Sequence, residues 1–305
     1  MLNFILRRAG IGVLVLMAVS ILAFALTNAA IDPAAAIAGD SASADDIQAI
    51  RELYGFDRPL HIQFFAWAQD ILSGDLGQSY RQRRPVSEVV MERLPVTMIL
   101  GASAFVLALV VAIPLGILAG LRPNSWIDRL ALGFAVLGQA IPNFWFALMG
   151  IVIFSVNLRM LPASGSDKWQ SYVLPAIALA YYAMPTLMRL TRAGMIDTLQ
   201  SDYIRTARAK GLRPPMVVLK HALRNAILPL VSVAAVQLGM MLGGSVVIET
   251  IFAMQGIGYL AWESITLSDP PVVQAIVIII ASFYVLLTLL ADIINAWLDP
   301  RLRGR

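Results

Sequence analysis

The residues best suited to chemistry lie in one short run, Asp202-Tyr203-Ile204-Arg205-Thr206-Ala207-Arg208-Ala209-Lys210-Gly211. Arg205, Arg208 and Lys210 can pair with carboxylates, and Thr206, Ala207 and Gly211 are small enough to let another backbone come close. That combination suits binding to a protein surface rather than bond-making. A second set is neutral and polar: Gln139, Asn143, Gln237, Ser245 and Gln274, each set in apolar sequence. Such residues either line a route for a polar solute or hydrogen-bond between helices. Catalytic signatures are missing. There is no cysteine, and the two histidines, His61 and His221, have no metal-ligand spacing. No GxxxxGK[ST], HExxH or GxSxG run occurs, and no carboxylate pair or Ser/Lys dyad is visible in the apolar stretches.

These residues belong to a chain of 305 residues that is 59% hydrophobic and 14% charged, whereas soluble domains carry about a quarter charged residues. The excess apolar sequence has to face lipid. Six stretches qualify as membrane helices: Ala9–Ile31, Val96–Leu121, Leu130–Leu158, Tyr172–Met188, Ala226–Ile248 and Val272–Ala291. Each is near the ~20 residues that cross a hydrocarbon core, and none contains a formal charge. The first follows Arg7 and Arg8 and precedes Ala34, Ala35 and Ala36, a pattern shared with cleaved signal peptides. Its length and the five spans after it indicate a retained helix. Pro114, Pro142, Pro175, Pro185 and Pro229 lie in or near spans and predict kinks. Ionisable residues inside spans usually mark function. Only Glu249 and Asp292 approach them here, at span ends, which argues against an ion-coupled carrier. The missing carboxylate pair likewise argues against a membrane-embedded enzyme.

The formal net charge of +4 does not indicate a nucleic-acid partner, because most Lys and Arg flank apolar runs. Residues 1–8, 122–129, 189–225 and 292–305 hold most of them, among them Arg189, Arg192, Arg301, Arg303 and Arg305. The positive-inside rule therefore places both termini in the cytoplasm. Three parts follow: residues 1–31, a tail and first helix; 32–94, an external loop with short helices; and 95–305, a core of five spans with a cytoplasmic loop at 193–225. The external loop holds a helical run, Ala44 to Tyr54, and an aromatic one, His61 to Leu72. Phe64, Phe65, Trp67 and Leu72 either lie on the membrane surface or pack a small external subdomain. In the cytoplasmic loop, Asp202 to Lys210 reads as a short helix capped by Ser201 or Asp202 and ended by Gly211. Pro214 and Pro215 suit the first turn of a second helix, Met216 to Asn225. The pair forms an elbow that either docks a partner or serves only to fix topology.

The elbow also carries a resemblance. Asp202 to Gly211, with His221-Ala222-Leu223-Arg224-Asn225 and Ile227-Leu228-Pro229, resembles the EAA loop of bacterial ABC-importer permeases, in the dipeptide, oligopeptide, glutathione and nickel branch. Arg205 stands where the motif has its Glu, and the interval from Gly211 to Pro229 is longer than in the wider family. Further matches run along the chain: Met1-Leu2-Asn3-Phe4, Gly55-Phe56-Asp57-Arg58-Pro59-Leu60, Gly74-Asp75-Leu76-Gly77, Arg93-Leu94-Pro95-Val96-Thr97, Gly256-Ile257-Gly258 and Leu298-Asp299-Pro300-Arg301. The resemblance implies an all-α polytopic protein with six transmembrane helices and the type I permease fold, of the first-permease kind. It implies residence in the bacterial inner membrane and a role as half of a channel for a small peptide or related solute. The implied partners are a second similar permease, two ATP-binding subunits that use ATP and Mg, and a periplasmic or lipid-anchored solute-binding protein. Asp202, Tyr203, Arg205, Thr206, Ala207, Arg208, Lys210 and Gly211 would form the coupling contact. With no phosphate-binding loop, the purified chain alone neither binds nor hydrolyses ATP. Saturable hydrolysis that co-elutes with a homogeneous preparation of this chain would contradict that.

Overall fold

The computed structural model describes residues 2–39 and 41–298. The tail from Asp299, with Arg301, Arg303 and Arg305, lies outside the described residues. In hydrocarbon each backbone N–H and C=O needs an internal partner, so apolar stretches become helices. The described residues are correspondingly all-α, apart from one isolated bridge between Gln78 and Pro85. Helix α1 (Leu2–Ala30) leads into α2 (Pro33–Ala38), α3 (Ala44–Tyr54) and α4 (Leu60–Ser73). A capping box between Ser43 and Asp46 starts α3, and Gly55, at φ 72°, ends it. Phe64 and Trp67 of α4 meet Phe24 of α1 at ring-centroid distances of 5.5 and 5.3 Å, while Phe65 and Leu72 stay exposed. The loop is thus a small layer of helices stapled to the end of α1.

The remaining elements are α5 (Val86–Leu121), α6 (Trp126–Ala140), α7 (Asn143–Gly150, continued by π-helical turns to Asn157) and α8 (Val173–Leu199). After them come α9 (Asp202–Ala209), α10 (Pro214–Met216, continued by π-helical turns to Ala222), α11 (Leu223–Ala226), α12 (Leu228–Ile251), α13 (Ile257–Thr266) and α14 (Pro270–Leu298). Five helices are long and apolar enough to cross a membrane, and α6 with α7 makes a sixth, broken span bent by 97°. The single kinked span expected over Leu130–Leu158 is therefore two pieces. Pro142 supplies the reason: it cannot continue α6, and it holds Ile141 extended at φ −93°, ψ 124°. Pro114 and Pro185 instead stand inside continuous helices, and Pro229 sits in the first turn of α12. Helices α5 and α8 outrun the expected Val96 start and Met188 end, because hydrogen bonding continues past the apolar stretch.

The core is built on α5 against α8. Ala104, Ala108, Ala112, Gly116 and Gly120, at four-residue intervals, are all buried along one face of α5. They pack with Leu179, Ala183 and Leu187 of α8. A Cβ on Gly116 would lie 2.6 Å from the Thr191 Cβ, and one on Gly120 would lie 2.7 Å from the Met195 Cβ. The last turns of α14 hold both the start of α1 and the start of α12: Arg8 pairs with Asp292 at 3.2 Å, and Asn295 Nδ2 donates to Ser232 Oγ at 2.5 Å. The elbow and the two chain ends therefore share one end of the bundle. Overpacking such a seam costs about 1–3 kcal/mol. Gly116→Val should thus lower the thermal midpoint of the solubilised protein clearly, while Gly133→Ala, with nothing within 4 Å of the added carbon, should not. Equal midpoints would contradict the seam.

Candidate functional site

Helix α9 begins at Ser201, whose extended backbone stands at the N-cap while its Oγ donates to the Thr198 carbonyl at 2.6 Å. It ends in a Schellman arrangement. The Gly211 N–H donates to the Arg208 carbonyl at 2.9 Å, and the Leu212 N–H reaches back to that of Ala207 at 3.4 Å. Gly211 takes φ 73°, the left-handed value expected of a glycine in that place. Ile204 and Ala207 turn inward onto Met195, Val217, Ala222 and Ala226, and this small core, with Ile117 against it, fixes the elbow to α8 and α5. Where α8 meets α11, a Cβ on Gly194 would lie 2.5 Å from the Ala226 carbonyl oxygen.

The opposite face is open. Asp202, Tyr203, Arg205, Thr206, Arg208, Lys210 and Gly211 are all exposed. Ala207 is the exception among the eight expected contact residues: at 7% exposure its small side chain serves packing within this chain. The Tyr203 hydroxyl accepts from Asn225 Nδ2 at 2.7 Å, which ties the two arms of the elbow together. Arg205 and Asp202 approach to 3.5 Å but are 80% and 97% exposed, so that pair adds little. The second arm is π-helical over Val217–Ala222 rather than the regular helix expected.

The break between α6 and α7 opens a cavity of about 410 Å³ that reaches α8 and α12. Gln139, Asn143 and Gln237 line it together, with Tyr182, Met240 and Gly244. Two other polar candidates lie elsewhere. Ser245 is buried and donates to the Leu242 carbonyl at 2.8 Å, and Gln274 Nε2 donates to Thr27 Oγ1 at 2.6 Å, joining α14 to α1. Gly239, with Tyr284 directly against it, marks close packing; Gly243 and Gly244 face open space. Phe146 stacks on Tyr181 at 4.2 Å, and Phe144 and Trp145 face outward.

Charged groups whose partners the sequence did not reveal hold both ends. Near the elbow, Arg192 forks onto Asp128 with bonds of 2.5 and 2.7 Å, clamping α8 to the start of α6. At the far end, the Glu249 carboxylate is fully buried. It accepts from the Thr97 hydroxyl at 2.7 Å and from the Tyr259 N–H at 2.9 Å, while Thr97 Oγ1 accepts from the Ile257 N–H at 2.9 Å. These bonds join α5, α12 and the N-terminus of α13, where an anion is favoured. A Cβ on Gly256 would clash with both Glu249 and Thr97, which explains a glycine there. Beside this node, Asp269 accepts from the Ser79 hydroxyl at 2.5 Å and the Tyr80 N–H at 3.1 Å. Burial, with the Asp269 carboxylate close by, pushes the Tyr80 phenol up to about 12, so it stays neutral at ordinary pH.

Residues 112–304 match the family described as binding-protein-dependent transport system inner membrane component, and residues 1–101 match its N-terminal companion. The chain belongs to this family of ABC-importer permeases. The permease is 39% identical over 304 residues, 99% of both chains, to the glutathione transport system permease protein GsiC of Salmonella typhimurium. It is 38% identical over the same length to its Escherichia coli counterpart. Among solved structures, the inward-facing MetNI methionine ABC transporter matches with a TM-score of 0.59 at 17% identity, over 69% of this chain and 96% of that one. An amino acid ABC transporter with histidines matches at 0.51 and 18%, over 70% and 94%. At such identities these two speak for the fold alone. Glu249 was visible as the one carboxylate near the end of the fifth span. What the sequence did not offer was its partners, which come from residues 152 and 10 positions away.

Proposed function

We propose that this permease forms half of the membrane channel of an ATP-driven importer, paired with a second, similar permease. Its cargo is a small peptide or a related solute, the class to which the glutathione named for its relatives belongs. The observation that carries this is the elbow. A helix of eight residues, anchored by two inward side chains, offers with the two residues after it seven exposed expected contact residues, four of them charged, that nothing among the described residues covers. An ATP-binding subunit is the partner. Two such subunits use ATP and Mg, and this chain binds neither. The elbow end, with both termini, faces the cytoplasm, as the excess of Lys and Arg there favours. The α2–α4 layer faces outward, towards a solute-binding protein that delivers cargo.

The geometry supports a two-state device. ATP binding closes the partner subunits, α9 follows them, and Ile204 and Ala207 pass the movement to α8 through Met195. The cavity lined by Gln139, Asn143 and Gln237 is the route whose access alternates. Gly211 offers the test. Its φ of 73° disfavours any other residue, and nothing among the described residues lies within 4 Å of an added Cβ. Gly211→Val should strain the helix end by about 1 kcal/mol or more and push bulk into the docking face. Membrane abundance should hold, while co-purification of the ATP-binding subunits, or uptake per ATP hydrolysed, falls severalfold. Arg208→Glu should have a smaller effect that salt diminishes. Normal co-purification and normal uptake in Gly211→Val would remove the docking assignment.

A further inference from the structure

Two arginines on α8 point to opposite fates. Arg192 lies beside Gly120 in the last turn of α5 and is neutralised by Asp128 through two short bonds. Arg189 lies one helical turn further into the bundle. Its guanidinium donates to the neutral amide oxygen of Gln139 at 2.9 Å and, among the described residues, pairs with no carboxylate. Gln139 is itself part of the cavity wall, at the last turn of α6 before the Pro142 break. Arg189 follows directly on the apolar run that closes at Met188 and is half-buried, and ionisable residues at this depth face a bundle's interior or water rather than lipid. The other polar groups facing that space, Asn143 and Gln237, are amides, and Tyr182 adds a phenol. All can donate, and none brings negative charge.

We infer that Arg189, presented by Gln139 at the elbow-side edge of the cavity, receives a carboxylate of the passing cargo. This rests on reading the cavity as the route of passage. It makes the permease itself selective for anionic groups, after the solute-binding protein has made its own choice. An Arg guanidinium offers a planar fork to a carboxylate, and Gln139 can hand it over by rotating its amide. Arg189 is a specificity-determining residue on this account, and Asp128 keeps Arg192 from competing for the same anion.

The absence of cysteine in the chain allows the charge itself to be tested. Arg189→Gln and Arg189→Cys would be assembled with both permeases, the ATP-binding subunits and the solute-binding protein, and uptake of glutathione and of tri-alanine measured in vesicles. Both variants should assemble normally and lose uptake about tenfold or more at saturating cargo, the weight of one charge-assisted hydrogen bond. Treating Arg189→Cys with an aminoethyl thiosulfonate, which adds a cation, should restore most of it. A sulfonatoethyl or methyl reagent should not, with the reagent-treated parent importer as control. Equal rescue by the methyl reagent would reduce Arg189 to a packing role and overturn the inference. Loss of the second permease from Arg189→Gln preparations would do the same, by assigning the cation to a subunit contact. Gln237→Trp separates the two claims: unimpaired uptake there rejects the route. Blocked uptake in Gln237→Trp, with unaltered uptake in Arg189→Gln, rejects only the carboxylate contact. No uptake of either tripeptide by the parent importer overturns the cargo class and the inference with it.

Discussion

Lipid tails are as apolar as leucine, so two membrane helices gain little by burying apolar surface against one another. What holds α5 to α8 is close approach, and close approach depends on Ala104, Ala108, Ala112, Gly116 and Gly120 recurring every fourth residue. Dispersion over that length, with nothing larger than a methyl group on the α5 face, sets the distance between the helices. Everything else hangs from this pair. The broken span α6–α7 leans on α8, where Gly138 admits Pro185 and the Tyr181 hydroxyl donates to the Leu137 carbonyl at 2.7 Å. The cavity exists because α6 cannot continue past Pro142, and because α8 is stiff enough to stand beside the gap.

The same seam ties the site to the channel. Met195, fully buried, touches the glycine face of α5 at Gly120 and belongs to the core that holds Ile204 and Ala207 of the elbow. A push on α9 therefore meets a packed element rather than a loose loop. At the far end, Glu249 ties α12 to α5 and α13, so three helices are bound to one carboxylate. Breaking a buried charge network by removing one member is costly, which suits an end that must move as a unit. Asp128 with Arg192 does the corresponding work nearer the elbow.

Much of this was legible in advance, for physical reasons. Apolar length marked the spans, and the Gly211 stop and the Pro214-Pro215 start were read from local chemistry that tertiary contacts did not override. The misses have causes too. Pro142 announces a disturbance, but whether a proline stays within a helix, as Pro185 does, or ends it depends on neighbours that supply or withhold support. Span ends drifted because apolar length reports the hydrocarbon, not the helix. The four-residue spacing of small residues in α5 was present in the sequence and is the signal that finds the seam. Ala207 shows the opposite limit. A small residue in a docking motif reads equally as a gap for a partner or as a fit to its own core, and only the inward turn of α9 decides between them. Likewise Gln139, Asn143 and Gln237 share a wall while Gln274 serves α1, a division set by which face of each helix turns inward.

The central claim is that the open face of the elbow meets an ATP-binding subunit. It is tested most directly by placing a photoreactive benzoylphenylalanine at Lys210, an exposed position at the end of α9, and illuminating the assembled importer in its membrane. The account predicts an adduct between this permease and an ATP-binding subunit, formed in good yield and lost when that subunit is omitted. Adducts only with lipid or within this chain, from an importer that transports normally, would contradict it.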